Sequence, residues 1–314
     1  MVEESVSVII NAYNEEEDIP DCLDSLDEQT YDDFELVVID DGSTDGTMEV
    51  VESYSDKFEL RTYRVSHVGL RKSRRIGFSK AKGDILVNID ADEVLREDFL
   101  ENLTEPFEDE GVGAVGGRLE SEGEGWVTEA YGALNEGFYG LRAEDEGVDW
   151  IQGGCAAFRR KALREVGGLA DERVSEDKDI SWKMKDEGWK VLLQESAVAH
   201  HKDPQTLRSV MNREYDIGKR EYFLLKEHKN RMSWKELARF SSLIGLILLG
   251  LVPFYFPLIM LLVIGVIGLI GGVVYLIRGT TEGFSGKIYL TASVVLFLIN
   301  LAWSLGFIKR IFQF

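Results

Sequence analysis

A short apolar run, Ile85-Leu-Val-Asn-Ile89, stops abruptly at Asp90-Ala-Asp92-Glu93. Its β-branched residues, bounded upstream by Gly83-Asp84, predict a strand buried on both faces of a parallel sheet, with the acids emerging at its carboxyl end. Open α/β sheets bind their ligands at that edge. Two carboxylates one residue apart on a turn can share a hard cation, Mg²⁺ or Mn²⁺, and a cation held there can clamp a diphosphate. Taken alone, such a motif is more often a strand end with two solvated acids. The rest of the chain has to decide between these readings.

The same design recurs upstream. Val6–Ile10 reads as a first buried strand, closed by Asn11-Ala-Tyr13-Asn14. Glu15–Asp18 then stands where a helix begins, with Ile19, Leu23 and Leu26 on one helical face. Phe34–Ile39 is a second strand, ending in Asp40-Asp41-Gly42-Ser43-Thr44-Asp45-Gly46-Thr47. Its glycines permit a tight turn, and Ser43 or Thr44 is placed to cap a helix over Met48–Tyr54. Leu60–Val65 is a weaker third strand. Gly69–Lys82 reads as a basic helix whose Arg71, Lys72, Arg74 and Arg75 offer counter-charge to phosphates, although charge runs are commonly solvated faces. Alternation of this kind predicts an α/β domain with a Rossmann-like, doubly wound, mostly parallel sheet. In it one acidic turn can hold a base and ribose, and the other a metal and diphosphate. No Gly-x-Gly-x-x-Gly follows the first strand and no P-loop pattern occurs, which disfavours dinucleotide-fold and P-loop chemistry.

Charge narrows the partners. With 35 Lys and Arg against 56 Asp and Glu, the formal net charge is −21, which argues against a nucleic-acid partner. The acidity suits a salty cytoplasm and ordinary solubility equally. Cys22 and Cys155 show neither metal-ligand spacing nor a disulfide framework. The amino terminus runs from Met-Val-Glu-Glu-Ser straight into a strand pattern, with no basic region or secretory apolar core, so the front domain is expected in the cytoplasm.

These motifs, in this order, resemble a family 2 glycosyltransferase of the GT-A fold. The resemblance rests on Ala12-Tyr13-Asn14-Glu15, on Val38-Ile39-Asp40-Asp41-Gly42-Ser43-Thr44-Asp45, on Gly69-x-x-x-Ser73-Arg74-Arg75-x-Gly77, and on Ala81-x-Gly83-Asp84 leading into Asp90-Ala91-Asp92. Asn11 stands where proline is commoner and Arg75 where asparagine is commoner. The resemblance covers roughly residues 5–200. It implies that Tyr13, Asn14, Glu15, Asp40 and Asp41 hold the nucleoside of a UDP- or GDP-sugar. It implies further that Arg74 assists at base or phosphate, and that Asp90, Ala91 and Asp92 form the metal and diphosphate turn.

Further along, Val112–Gly117 is strand-like and leads into a glycine-rich acidic loop. Trp126–Arg142 can form a helix whose aromatic residues are more simply core than acceptor-lining. The small residues of Ile151-Gln-Gly153-Gly154-Cys155 suit close approach to a ligand or tight packing equally; the family resemblance places them beside the donor sugar. Ser175-Glu176-Asp177-x-Asp179 opens an amphipathic helix running through Trp189. The acids there suit a helix start, and they also suit a general base that takes the acceptor's proton. The resemblance assigns that base to Asp177. Val191–Leu193 and Ala197–Ala199 lead to His200-His201, where His200 is a candidate further metal ligand, surface or structural roles being commoner for a lone histidine. Gln205-Thr-Leu-Arg208-Ser209 partly matches a processive-synthase signature but lacks its tryptophan.

The tail differs in kind. Leu207–Leu225 mixes basic and apolar residues as an interfacial helix would. From Phe240 to Ile277 no charged residue occurs. One helix of that length would be about 57 Å long, nearly twice a hydrocarbon core. Pro253 and Pro257 flank a plausible turn, which splits the run into spans near 240–256 and 257–277. A third lies near 288–308. Three crossings would put Lys309 and Arg310 outside, against the positive-inside rule, so two and three spans both stand.

The expected organisation is a GT-A domain over 1–204, juxtamembrane helices over 205–239 and a transmembrane region over 240–314. The expected protein is an integral membrane enzyme with its catalytic domain on the cytoplasmic face. It would be metal-dependent and inverting, moving sugar from a nucleotide-diphosphate donor to a lipid-linked or polyprenyl-phosphate acceptor, similar to polyprenyl and dolichyl-phosphate sugar synthases. A nucleotidyltransferase and a non-catalytic, membrane-tethered sugar-nucleotide binder are the alternatives.

Overall fold

The computed structural model describes residues 4–123, 125–138, 147–169 and 175–228, together with 294, 295, 297–302, 304, 305 and 309. It divides into two compact units. The first comprises Met1–Glu120, Leu141–Glu172 and Glu176–Lys202; the second comprises Ser121–Gly140, Arg173–Ser175 and Asp203–Phe314.

In chain order the elements are β1 (Val6–Ala12), α1 (Ile19–Asp27), β2 (Phe34–Asp40), α2 (Thr47–Ser53), β3 (Glu59–Arg64) and α3 (Leu70–Lys80). There follow β4 (Ile85–Asp90), β5 (Glu93–Leu95), α4 (Phe99–Thr104), β6 (Val112–Glu122), α5 (Trp126–Phe138) and β7 (Ala156–Arg159). The last are α6 (Arg160–Glu165), α7 (Glu176–Asp186), β8 (Lys190–Lys202) and α8 (Leu207–Glu227). Among the described residues the strands form one sheet, in the order β3-β2-β1-β4-β7-β6-β8-β5.

The sheet is parallel through β3, β2, β1 and β4 and mixed beyond them. β7 runs antiparallel to β4 and to β6, and β5 runs antiparallel to β8. The parallel reading therefore holds for the first half alone. β1 to β4 alternate with helices, as parallel crossovers require, whereas β7 enters beside β4 from a distant part of the chain and in the opposite direction. Two other expectations shift. The acidic stretch after Gly117 continues β6 as far as Glu122, and the two short strands expected before His200 are the single strand β8.

Both faces of β1, β2 and β4 are covered, which is why these strands read as nearly continuous apolar runs, whereas the edge strand β3 is partly open. Val8, Ile10, Leu36, Val38, Val87 and Ile89 point to one side and pack with Ile19, Leu23, Leu26 and Leu100. Ile9, Val37, Ile39 and Leu86 point to the other and pack with Phe78, Phe158 and Ile180. In the second unit Val127, Ala130 and Tyr131 of α5 pack with Val210, Val295 and Ile299. Glu214 and Glu221 lie on the buried face of α8, which is not the plain apolar stripe of an interfacial helix.

Among the described residues no helix is long and apolar enough to cross a membrane. The spans expected near 240–256 and 257–277 lie outside the described residues, and that near 288–308 lies partly outside them.

α3 sits close to the sheet because position 77 has no side chain. A Cβ there would fall 2.5 Å from Ile9 Cγ2 and 3.2 Å from Ile39 Cγ1. Two effects oppose each other in Gly77→Ala: about 1 kcal/mol gained in helix propensity and about 1–3 kcal/mol lost to overpacking. Neither Ile9 nor Ile39 is exposed at all, so there is no room to yield and the loss dominates. Gly77→Ala is expected to lower the denaturant midpoint at unchanged slope; a raised midpoint would contradict this packing.

Candidate active site

Parallel register brings the acidic turns together. Ala12 is opposite Asp40 and Asn11 is opposite Asp90, so β1, β2 and β4 end at one edge with their loops side by side.

The loop after β1 is stitched to the loop after β2. The Asn14 amide donates to Ser43 Oγ at 2.9 Å, and the Thr44 amide donates to Asn14 Oδ1 at 2.9 Å. The Glu15 amide donates to Thr47 Oγ1 at 2.9 Å, and the Gly46 amide to Glu16 Oε2 at 2.9 Å. Ser43 and Thr44 therefore hold Asn14 and do not cap α2, whose start at Gly46 has no side-chain cap. Asn14 itself adopts φ 57°, a left-handed geometry that asparagine tolerates better than most residues.

Asp40 and Asp41, the expected nucleoside ligands, are both buried. Asp40 Oδ1 accepts from the Ser43 amide at 2.8 Å, and Oδ2 lies 3.2 Å from Arg64 Nε. Asp41 accepts from the amides of Val68 at 2.5 Å and Gly69 at 2.8 Å. These carboxylates shape the loop that enters α3. The ring surface beside them is Tyr13, 42% exposed, tilted against His67 with centroids 4.1 Å apart. His67 was not singled out in the sequence, where an isolated histidine between a weak strand and a glycine carries no pattern.

The turn after β4 concentrates negative charge. Asp90 and Asp92 keep 30% and 32% of their side-chain surface open, while Ala91 is buried. Behind them Glu93 is buried, and its carboxylate accepts from the Asp90 amide at 3.3 Å. Burial, with Asp90 next in weight, pushes the Glu93 carboxyl well above the usual range, His201 opposing. Glu15 reaches into the same field. Burial first, then Asp92, Asp18 and Asp90, raise its carboxyl to about 7.

Two histidines follow on β8, and the pleat separates them. His200 Nδ1 lies 3.9 Å from Glu120, whereas His201 Nε2 lies 3.2 Å from Asp92 Oδ2. His200 thus lies beside Glu120, and it is its neighbour that meets Asp92. The register that pairs Glu93 with His201 on β5 and β8 sets this, and sequence alone could not choose between adjacent residues of an unpaired strand.

Hard oxygen donors, partial exposure and an excess of negative charge fit Mg²⁺ or Mn²⁺ at Asp90 and Asp92. Among the described residues no three His, Cys, Asp or Glu side chains converge into a cation cage. A few carboxylate ligands plus phosphate oxygens is the way Mg²⁺ is usually held.

Asp177 lies in the first turn of α7. A side chain at Gly153 would collide with Asp177 Oδ1, and a Cβ at Gly154 would fall 2.5 Å from Asp90 Oδ2. Close approach is therefore what the paired glycines allow. Asn88 fixes their backbone, donating to the Gly153 carbonyl at 2.7 Å while accepting from Asn11 at 3.3 Å. Between the two carboxylates lies Arg74, buried on α3. Its Nη2 donates to Asp90 Oδ1 at 3.0 Å, and Nη1 is 3.7 Å from Glu176 Oε2. Burial pulls its pKa down, but the charges of Asp90, Glu176 and Asp177 outweigh that and raise it. The residue expected to assist at base or phosphate thus lies buried behind the Asp90–Asp92 turn, hydrogen-bonded to Asp90.

Comparison with known proteins identifies the family and the fold. The profile described as "Glycosyl transferase family 2" matches residues 7–167. A curated N-acetylglucosaminyltransferase of Mesorhizobium japonicum is 33% identical over 171 residues, 51% of this chain and 40% of that protein. Glycosyltransferase GlyA of Streptococcus pneumoniae is 33% identical over 104 residues, 33% of this chain and 15% of that protein. The chain thus spans less than half the length of these relatives. Among solved structures, mannosyltransferase PcManGT from Pyrobaculum calidifontis, in complex with GDP-Man and Mn²⁺, shares the fold. Its TM-score is 0.70 at 20% identity, over 100% of this chain and 88% of that one.

Glu176 gives the site a pH signature. Burial, then Asp177, raise its carboxyl to about 7, with Arg74 and Arg71 opposing. A carboxyl whose pKa rises on folding binds more protons folded than unfolded between its ordinary 4.5 and about 7, so stability falls as pH rises through that window. Glu176→Gln mimics the protonated form. Wild-type stability in chelator is expected to decline against Glu176→Gln by up to about 1.4 kcal/mol per pH unit in that window. Parallel profiles would contradict the assignment.

Proposed function

Because this chain belongs to glycosyl transferase family 2 and is a glycosyltransferase, we propose that it moves a sugar, with inversion, from a UDP- or GDP-sugar to a lipid-linked or polyprenyl-phosphate acceptor. The carrying observation is the open Asp90 and Asp92 carboxylates at the sheet edge, with Asp177 held on the far side of Gly153 and Arg74. Nucleotide-sugar use is supported by the stitched loops after β1 and β2, by the Tyr13–His67 rings, and by the GDP-Man and UDP-GlcNAc bound in structures of this fold.

Asp90 and Asp92 would hold Mg²⁺ or Mn²⁺, which supplies positive charge where the departing diphosphate accumulates negative charge. Tyr13 and His67 present a ring surface to the base. Glycines 153 and 154 let a sugar lie against bare backbone between the two carboxylates. The acceptor oxygen forms its bond to the anomeric carbon as the carbon–diphosphate bond breaks. Asp177 takes the proton when that oxygen belongs to a hydroxyl. An ionised phosphate acceptor has no such proton to lose at neutral pH, and there Asp177 orients the acceptor.

Membrane attachment, with the catalytic unit on the cytoplasmic face, belongs to the same proposal. It is supported by the charge-free run from Phe240 to Ile277. Such a tail suits an acceptor that is itself in the bilayer.

The test offers radiolabelled UDP- and GDP-sugars to detergent-purified full-length protein with Mn²⁺, polyprenyl phosphate and membrane lipid extract. Label should enter the lipid phase, depend on the cation and vanish in Asp92→Ala. Asp177→Asn should lower transfer about 10²–10⁴-fold with a hydroxyl acceptor and far less with a phosphate. Label that moves only to soluble glycans would overturn the lipid acceptor, and cation-independent transfer would overturn the metal.

A further inference from the structure

We infer that Arg74 is a positioning residue that couples the charge on Asp90 to the Glu176–Asp177 pair, so that the donor and acceptor sides of the site are set together. The inference rests on the metal reading of Asp90 and Asp92 given above.

Arg74 comes from the middle of α3, whose exposed residues Lys72 and Arg75 face solvent. It is the most buried of that basic run, with 6% of its surface exposed. A guanidinium cannot lose its proton in a protein, so its charge must be balanced by neighbours. The neighbours are unequal. Asp90 takes a hydrogen bond at 3.0 Å, while Glu176 stands at 3.7 Å, within ion-pair range and beyond a hydrogen bond. Arg71 approaches the same Glu176 oxygen at 3.6 Å. Arg74 Nε and both Glu176 carboxylate oxygens are buried with no hydrogen-bond partner among the described residues.

Such a contact is half closed. One fixed positive charge serves two carboxylate groups, hydrogen-bonded to the first and only facing the second. Because charges interact more strongly at low dielectric, charge removed from one side changes what Arg74 offers the other. If Glu176 loses its charge, Arg74 belongs more fully to Asp90 and weakens that carboxylate as a cation ligand. If Arg74 loses its charge, Asp90 becomes a stronger ligand, yet Glu176 and Asp177 lose what holds them. A purely structural residue would instead lower cation binding and turnover together.

The experiment is a double-mutant cycle on the full-length protein, read by EPR titration with Mn²⁺ alone. Far-UV circular dichroism confirms folding, and transfer is measured in parallel. Arg74→Met should bind Mn²⁺ about three- to tenfold tighter while transfer falls at least about 100-fold. Glu176→Gln should bind Mn²⁺ more weakly, and that effect should shrink in the Arg74→Met background because it passes through Arg74. Should Arg74→Met not fold, Arg74→Lys keeps the charge but cannot span both carboxylates. It is expected to bind Mn²⁺ near the wild-type level and to erase the Glu176→Gln effect. Mn²⁺ binding that is no tighter in Arg74→Met, or a Glu176→Gln effect of equal size in every background, overturns the coupling. Failure of the underlying reading looks different: wild-type protein itself would show no Mn²⁺ site that Asp92→Ala removes.

Discussion

A guanidinium buried among carboxylates is the contact on which the rest of this site depends. Isolated, either partner would be costly to desolvate. Together Arg74, Asp90 and Glu176 neutralise one another in part, and they tie α3, the end of β4 and the start of α7 into one arrangement. The paired glycines 153 and 154 belong to the same constraint, since any side chain there would displace Asp177 or Asp90. Because one partner is removed more cheaply in thought than in a protein, the network constrains mutation strongly: leaving a buried charge unmatched costs far more than the pair itself contributes.

That network can exist only because the sheet delivers its members to one edge. Three adjacent parallel strands end in register, and their acids emerge where the apolar faces no longer cover them. The antiparallel half then closes the site from the other side. β7 places the glycine pair next to β4, and β8 carries His201 to Asp92. Negative charge gathered this way has a physical consequence. Glu15 and Glu93 are driven toward their neutral forms, by burial first and by the neighbouring carboxylates next.

Most of the parallel half was readable because β1, β2 and β4 are apolar runs closed by turns that carry acids, the edge strand β3 being the weak one. The antiparallel half was not. β5 is three residues long, and β6 continues through a stretch whose glycines and acids read as loop. Asp90, Asp92 and Asp177 stood out because carboxylates at element ends are local features. His201 did not, because its role depends on strand pairing, and Arg74 stood out only as one of a basic run, its burial against Asp90 being a matter of which way the helix faces. The pleat of β8 decides which of two adjacent histidines meets Asp92, and the roll of α3 decides which arginine turns inward. Asp41 shows the same limit from the opposite side, since its backbone partners at Val68 and Gly69 are fixed by a loop geometry that no motif spells out.

The central claim is that Asp90 and Asp92 hold a divalent cation that also touches the donor's diphosphate. Pulsed electron–nuclear double resonance on Mn²⁺-loaded protein with UDP or GDP tests it most directly. The account predicts ³¹P coupling to the Mn²⁺ from at least one nucleotide, lost in Asp92→Ala. Nucleotide that binds without ³¹P coupling, or coupling that survives in Asp92→Ala, would contradict it.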